Sequence, residues 1–283
     1  MLPLALAANA LPRDMGTAAA AEQRRTMHLL AALLVASSCL AASVHGLHIT
    51  WLPLGDSITW GCGNGILPHV DPPGCRATRK HLNDCGCERD AGSYRIPVAQ
   101  ALEQWNITTT TVGSLTAGPV SSPAAWQHHE GHPGWTIEEV ASISAQWTKT
   151  KPDVITVHLG TNDCNGTPAS AVAALRALLK TIGAALPTAD VFVASILRMP
   201  AAHASFVTHF NAAVPGLVQA AGGNFHYVPL YENTTLVCGD NKHQYSIGDG
   251  VHPNPFGHLH VGGVFARTIA ATLCPAHTND HTC

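Results

Sequence analysis

The sequence predicts an α/β protein: a three-layer α/β/α sandwich around a five-stranded parallel sheet. Short β-rich segments alternate with longer helical segments, as in repeated βαβ units. The β-rich segments are continuous apolar runs, which is typical of strands that helices cover on both faces. The five candidate strands are 49–54, 108–112, 154–159, 191–195 and 225–229.

Helical segments separate these strands and follow the last of them. The stretch 169–185 is rich in Ala and Leu, which have high helix propensity. Parallel neighbouring strands require right-handed crossover connections, which these helices would supply. We therefore expect one domain over residues 47–275, with no internal repeat. The candidate helices are 93–105, 136–147, 168–186, 205–221 and 255–273.

Composition excludes several functional classes. The 283 residues are 46% hydrophobic and 12% charged, so the chain can bury a substantial core and does not have a disordered composition. The net charge of −3, without a basic block, argues against nucleic acid as a partner. The 18 histidines do not fall into a metal-binding pattern, so we expect no metal and no other cofactor.

Residues 1–46 are predicted to be an N-terminal extension with a signal peptide. Arg24-Arg25 precede the apolar run 29–35, which is shorter than a membrane span of about 20 residues. Met27 is a candidate true start, and a signal anchor that stays attached is the alternative interpretation. No later stretch is apolar for long enough to cross a membrane. We therefore expect a secreted, extracellular protein without a stable membrane anchor.

Cysteine usage agrees with export. Removal of the signal, with Cys39, leaves an even number of cysteines, which suggests up to four disulfides of undetermined connectivity. Sequons at Asn106, Asn165 and Asn233 suggest a glycoprotein. Residues 276–283 form a C-terminal tail. The cysteines left are Cys62, Cys75, Cys85, Cys87, Cys164, Cys238, Cys274 and Cys283.

The segment 61–92 departs from the alternating pattern. It contains four cysteines with several glycines and prolines, so we interpret it as a disulfide-tied insert. Long loops without secondary structure are usually functional or disordered. It is either a lid or wall that faces substrate, or an excursion on the solvent side.

Three polar islands lie where the predicted sheet would bring them to one edge. Residues 55–59 follow the first strand, residues 160–163 follow the third, and residues 249–254 precede the last helix. Ligands of open α/β sheets bind beyond the carboxyl ends of the strands. The islands are therefore expected to form one site, although they are far apart in sequence.

The islands contain the parts of a nucleophilic hydrolase. Ser57 is the candidate nucleophile, and His252 is the candidate base that takes its proton. Asp249, three residues before His252, is placed to fix the imidazole tautomer. An ordinary turn before a helix is the alternative interpretation of 249–253.

The tetrahedral intermediate of acyl transfer needs hydrogen-bond donors for its oxyanion. The candidates are the Ser57 N–H, the Asn162 side-chain amide and a backbone N–H in the glycine-containing loop 130–136, which opens a helix. Asn162 is alternatively a structural turn residue.

Other polar residues near the islands are expected to play supporting roles. Asp56 and Asp163 should make structural hydrogen bonds at their turns. His158, inside a strand, is expected to be a hydrogen-bonded core residue. His132 is a candidate substrate contact.

Together these residues resemble the SGNH, or GDSL, hydrolase superfamily. Residues 55–57 resemble its first block, 160–163 its third, and Asp249 to His252 its fifth. The run 133–136 is similar to the second block, which supplies a glycine to the oxyanion hole. The resemblance implies a flavodoxin-like SGNH fold and assigns the oxyanion hole to Ser57, Gly134 and Asn162.

Within that superfamily, the run 129–137 is similar to a loop of carbohydrate esterase family 3, which contains secreted acetylxylan esterases. Gly113, at a strand end, is the second candidate for the oxyanion glycine. Trp135 and His132 are the candidate substrate-binding residues, and Trp60 is a further aromatic candidate for a sugar-facing surface. Core packing is the alternative interpretation for both Trp135 and Trp60.

The sequence therefore predicts a secreted serine esterase that removes acetyl or other short acyl groups from a polysaccharide, and we expect it to be a monomer. Two alternatives stay open. One is a lipase or phospholipase that uses the same residues, and the other is a catalytically inactive glycan-binding protein with the same fold.

Overall fold

The computed structural model of the chain describes residues 46–63, 92–233 and 249–275. Over these residues, seven strands form one sheet in the order β3-β4-β1-β5-β6-β7, and β2 pairs with β1 outside that path. The strands are β1 Leu47–Gly55, β2 Ile107–Thr111, β3 Leu115–Thr116, β4 His128–Gly131, β5 Val154–His158, β6 Asp190–Ala194 and β7 Phe225–Val228.

Eight α-helical segments accompany the sheet in the described part of the chain, together with short 3₁₀ turns. The helices are α1 Ser57–Trp60, α2 Arg95–Gln104, α3 Ile137–Ser142, α4 Ser144–Trp147, α5 Pro168–Ala185, α6 Ala204–Ala221, α7 Leu230–Asn233 and α8 Pro255–Leu273.

The predicted fold class is confirmed. The five predicted strands correspond to β1, β2, β5, β6 and β7, which pair in parallel. Apolar side chains on one face of the sheet pack against α3, α4, α5 and α6. Those on the other face pack against α2 and α8. Helices therefore cover both faces, as the continuous apolar strands require.

Two short strands were not predicted. β4 pairs in parallel with the carboxyl end of β1, where Gly55 faces Gly131, and β3 pairs with β4 in antiparallel orientation. β2 borders the first half of β1 and β4 borders its end. A Cβ on Gly131 would lie 2.5 Å from the Trp60 nitrogen, so only glycine permits β4 to approach α1 this closely.

The helix predicted over 136–147 is instead two short helices. The first of them, α3, ends at Ser142, where its C-cap Ile143 has a φ of −102° and a ψ of 14°, and α4 begins at Ser144. The predicted start is right, because the Thr136 hydroxyl accepts from the Glu139 N–H and the Glu139 carboxylate accepts from the Thr136 N–H. These two bonds form a capping box.

Arg95 in α2 is buried and joins three segments of the chain through hydrogen bonds. Its guanidinium donates to backbone carbonyls from three separate segments, and burial lowers its pKa to about 10, so the side chain stays charged at neutral pH. The acceptors are the carbonyls of Thr59, Trp60, Ala117, Trp126 and Gln127.

Several predictions lie outside the described residues: the signal peptide, most of the insert 61–92 and the tail 276–283. Cys62 and Cys274 each take part in a disulfide bond. Cys164 is a free thiol, so it takes no part in the disulfides that the sequence suggests. In the described residues no helix combines the length and apolar character that a membrane span requires.

Candidate active site

The structure brings together the side chains of the first and last islands. His252 Nε2 lies 2.8 Å from Ser57 Oγ, although the two residues are 195 positions apart. His252 Nδ1 lies 2.5 Å from Asp249 Oδ2. The serine hydroxyl, imidazole and carboxylate thus form a continuous chain in which a proton can pass from oxygen to nitrogen.

Asp249 holds the imidazole and its backbone at the same time. Its Oδ1 accepts from the N–H groups of Val251 and His252, and its Oδ2 faces the ring. Burial raises the pKa of Asp249, but the hydrogen bonds and charge of His252 outweigh burial and lower the pKa below its ordinary value. The carboxylate therefore stays ionised beside the imidazole at neutral pH.

Two contacts join the segment that follows α1 to the His252 turn and to α8. A Cβ on Gly63, whose φ is +89°, would lie 2.2 Å from the Pro253 carbonyl oxygen, so glycine is required at this approach. His258 in α8 accepts from the Tyr94 N–H and donates to the Cys62 carbonyl. Burial lowers the pKa of His258 to about 3, so the ring is neutral and can do both.

No sequence pattern indicated the role of His258. His258 and His260 lie two positions apart in α8. In the structure the two rings bind different backbone carbonyls, those of Cys62 and Asn233. Among the described residues, no three His, Cys, Asp or Glu side chains are grouped as a metal site would require.

Ser57 is the first residue of α1, and the preceding residue caps that helix. Asp56 Oδ1 accepts from the Ile58 N–H at 2.9 Å. The Ser57 N–H makes no hydrogen bond within the described part of the chain. It is therefore free to donate to an oxyanion formed next to Ser57 Oγ.

The third island meets the glycine loop. Asn162 Nδ2 donates to the Trp135 carbonyl at 2.9 Å, which leaves its second amide hydrogen available. At the other end of the loop, the His132 N–H donates to the Gly55 carbonyl at 3.0 Å, two residues before Ser57. These two bonds place the loop between Ser57 and Asn162.

Gly134 occupies the middle of this loop. Trp135 N donates to the His132 carbonyl at 3.1 Å, which closes a turn, and Gly134 has a φ of +78°. Such a turn favours glycine. Gly113, the second candidate, instead packs on β4, where an added Cβ would lie 2.4 Å from the His129 backbone. The contact between Asn162 and Trp135 therefore favours Gly134.

Both neighbouring aspartates make structural hydrogen bonds, but only that of Asp56 lies at its own turn, as expected for both. Asp56 caps α1, whereas Asp163 reaches across the site and accepts from the Ile137 N–H at the start of α3. Asn162 and Asp163 thus bind the backbone on both sides of Thr136, the N-cap of α3. Burial raises the pKa of Asp163 to about 6.

The expectation for His158 is only partly right. The ring is buried between Tyr94 and Phe265, with edge contacts to both, and burial lowers its pKa to about 4. Neither ring nitrogen has a hydrogen-bond partner in the described residues. Contacts with aromatic rings replace the polar partners that a core histidine usually has.

The candidate substrate-binding residues lie beside the same loop. The rings of His132 and Trp135 stack with their centroids 4.3 Å apart. Trp60, at the end of α1, contacts His129 edge-on and lines a cavity of about 520 Å³. The other described residues that line it are Ser114, Leu115, Thr116, Ala117, Gly118, Val120 and Gln127.

Asp56 gives a testable dependence of stability on pH. Burial raises its pKa from 3.8 to about 6, and neither its Oδ2 nor the neighbouring Thr161 hydroxyl has a hydrogen-bond partner in the described residues. Between these two values the folded state binds more protons than the unfolded state, so stability falls as pH rises from about 4 to about 6. Asp56→Asn keeps the cap and can donate to Thr161.

We expect Asp56→Asn to make that decline smaller, with the part that the raised pKa of Asp163 causes left in place, and to raise the free energy of unfolding at pH 8 by about 1–3 kcal/mol. Urea unfolding from pH 4 to pH 8 measures this. Asp153→Asn is the matched control, because two bonds from Thr50 lower the pKa of Asp153 and its loss should destabilise the protein above pH 4. Parallel profiles for wild type and Asp56→Asn would contradict the interpretation.

The fold and the site define a class of protein. A parallel α/β sheet that carries a serine, histidine and aspartate chain at its carboxyl edge is the architecture of a serine hydrolase. The GDSL-like Lipase/Acylhydrolase family matches residues 54–259, which is most of the chain, so the protein belongs to that family.

Solved structures agree with this assignment. The chain is similar to a family 3 carbohydrate esterase from Clostridium thermocellum, with 27% identity, a TM-score of 0.61, and coverage of 80% of this chain and 97% of that one. A family 3 carbohydrate esterase from Talaromyces cellulolyticus has 21% identity and a TM-score of 0.61, covering 81% and 99%.

Axe2, an acetylxylan esterase from Geobacillus stearothermophilus, has 17% identity and a TM-score of 0.54, covering 80% and 95%. At their levels of identity, this enzyme and the one from Talaromyces show the fold alone. No curated protein sequence gives a significant match.

Proposed function

We propose that the protein is a secreted serine esterase that removes short acyl groups, acetyl above all, from an esterified polysaccharide. The observation that carries the proposal is the 2.8 Å contact between Ser57 Oγ and His252 Nε2, with Asp249 on the opposite ring nitrogen. A binding protein has no need of this arrangement.

In the proposed reaction, Ser57 Oγ attacks the ester carbonyl while His252 Nε2 takes its proton. His252 then gives that proton to the departing alcohol, and an acyl-enzyme remains. Water attacks the acyl group with His252 again as base, which releases the acid and restores Ser57. Asp249 keeps the ring in the required tautomer throughout.

The oxyanion of each tetrahedral intermediate would receive three hydrogen bonds. The proposed donors are the N–H groups of Ser57 and Gly134 and the free amide hydrogen of Asn162. They are fixed before substrate arrives, which is what makes such donors effective in a site that excludes water.

Removal of one donor tests this assignment. We expect Asn162→Ala to lower kcat by about 10²–10³-fold with a smaller change in KM, because the oxyanion exists mainly in the transition state. Asn224→Ala is the matched control, since Asn224 Nδ2 also donates to a backbone carbonyl, that of Ala189, but at the opposite end of the sheet. Equal losses in both variants would contradict the assignment.

The polysaccharide substrate is supported by two observations. The Clostridium thermocellum structure is a family 3 carbohydrate esterase that is matched over nearly its full length. The cavity beside Trp60 mixes an aromatic ring with polar Ser114, Thr116 and Gln127, which suits a sugar better than a long acyl chain.

Hydrolysis of p-nitrophenyl esters from acetate to palmitate, together with acetate release from acetylated xylan, tests the proposal. We expect the highest kcat/KM for acetate and measurable release from xylan. Activity confined to long acyl chains would favour a lipase or phospholipase. A folded protein that neither hydrolyses any ester nor reacts with a fluorophosphonate would favour the glycan-binding alternative.

A further inference from the structure

Glu130, in β4, carries a buried carboxylate that the proposed reaction does not use. The residue is 1% exposed. Its Oε1 accepts from the Ser114 N–H at 2.5 Å, and its Oε2 lies 2.8 Å from His132 Nε2. Both oxygens are therefore engaged, one by the backbone of a neighbouring segment and one by the ring of the glycine loop.

The charge of Glu130 determines which ring nitrogen of His132 donates to it. Burial raises the pKa of Glu130, but the hydrogen bonds from His132 and Ser114 together lower the pKa below its ordinary value. An ionised carboxylate only accepts hydrogen bonds, so His132 must present an N–H from Nε2. This bond sets both the tautomer and the direction of the His132 ring.

In this orientation the His132 ring packs across the turn that contains Gly134. The His132 side chain is only 11% exposed, and its ring stacks on that of Trp135 at 4.3 Å with 20° between the planes. The backbone of the same two residues is joined by the bond from Trp135 N to the His132 carbonyl. Side chains and main chain thus clamp one four-residue turn.

This turn controls two of the proposed oxyanion donors. It holds the Gly134 N–H, and it presents the Trp135 carbonyl that accepts from Asn162 Nδ2 at 2.9 Å. A shift of the turn would move the Gly134 N–H and release the Asn162 amide together. A misplacement of about 1 Å can lower a catalytic rate by about 10²-fold.

We propose that Glu130 is a positioning residue for the oxyanion donors. It holds the His132 ring against Trp135, and the stacked pair keeps the Gly134 turn and the Asn162 amide in place. Glu130 acts through His132 and does not touch the substrate. The catalytic part of this inference rests on the proposed esterase function.

The test compares wild type, Glu130→Ala, Glu130→Gln and Glu139→Ala on p-nitrophenyl acetate. We expect Glu130→Ala to lower kcat by about 10–100-fold with little change in KM. Glu130→Gln keeps the shape and an acceptor for Ser114, so it should recover part of the loss. Glu139→Ala removes a carboxylate from the adjacent capping box, so it should lower stability but leave kcat near the wild-type value.

A double-mutant cycle asks whether Glu130 acts through His132. In a protein that already carries His132→Ala, the further change Glu130→Ala should lower kcat little more. Amide hydrogen exchange adds a readout that does not depend on activity. The Trp135 N–H should exchange faster in Glu130→Ala than in wild type, and no faster in Glu139→Ala.

Wild-type kcat and wild-type exchange in Glu130→Ala would overturn the inference, and so would additive losses in the cycle. An inactive wild-type protein would overturn the esterase proposal instead. In that case the exchange of the Trp135 N–H would still decide whether Glu130 holds the turn.

Discussion

Ser57→Ala is expected to lower kcat for ester hydrolysis by about 10⁵-fold or more, to a residual rate that the oxyanion donors alone support. The variant removes the atom that would form the acyl-enzyme. The Ser57 hydroxyl contacts His252 and is nearly buried, so its loss should leave the fold intact. Initial rates on p-nitrophenyl acetate, with circular dichroism as a check on folding, measure the effect.

Ser121→Ala is the matched control for that experiment, because Ser121 is exposed and takes no part in the contact between Ser57 and His252. It should retain the wild-type rate and reaction with a fluorophosphonate, whereas Ser57→Ala should lose both. A Ser57→Ala protein that still hydrolyses ester at the parent rate would remove Ser57 from the mechanism.

Asp249→Asn is expected to lower kcat by about 10³–10⁴-fold. An asparagine can still accept from the N–H groups of Val251 and His252 through its oxygen. Its amide would then face His252 Nδ1 as a donor, which forces the proton onto Nε2. A ring with a proton on Nε2 cannot take the proton of Ser57, so the geometry would survive while the chemistry is lost.

The chain contains a matched control for this variant. Asp190 Oδ1 lies 2.7 Å from His226 Nε2, a similar carboxylate and imidazole pair at the opposite end of the parallel strands. Asp190→Asn should change kcat by less than about twofold. Comparable losses in the two variants would mean that Asp249 acts on folding and not on the tautomer of His252.

The strands and helices that could be predicted are those in which buried positions carry apolar side chains. The strand Val154–His158 is mostly apolar, and the helix Pro168–Ala185 is apolar on the face that packs on the core, so a single sequence reveals them. The start of α5 can also be predicted from the sequence, because Thr167 caps the helix and Pro168 occupies its first turn.

β4 could not be predicted, because His128, His129, Glu130 and Gly131 form no apolar pattern. The last three of these residues are buried, and they are held there by partners that no periodicity reveals, such as the Ser114 N–H that donates to Glu130. His129 accepts from the Gly131 N–H through Nδ1, and burial lowers the pKa of its ring far below the ordinary value. Polar strands of this kind are specified by tertiary contacts and not by periodicity.

The sequence predicts which residues form the candidate site, but it does not predict the contacts that hold them in place. Sheet topology places Ser57 and Asn162 at one edge, and the spacing of Asp249 and His252 suits a single turn. The contacts that hold these residues, such as His258 on the Cys62 carbonyl, join positions nearly 200 residues apart and leave no local pattern.

The buried guanidinium of Arg95 has a consequence for engineering the substrate range. All five of its carbonyl acceptors belong to the main chain, so substitutions of those residues leave the acceptors in place as long as the backbone keeps its path. A randomised library over 115–127 can therefore reshape the cavity wall while the scaffold beneath it persists. Arg95 itself cannot be substituted in this way. Even Arg95→Lys would lose bonds, because lysine lacks the planar set of five donors.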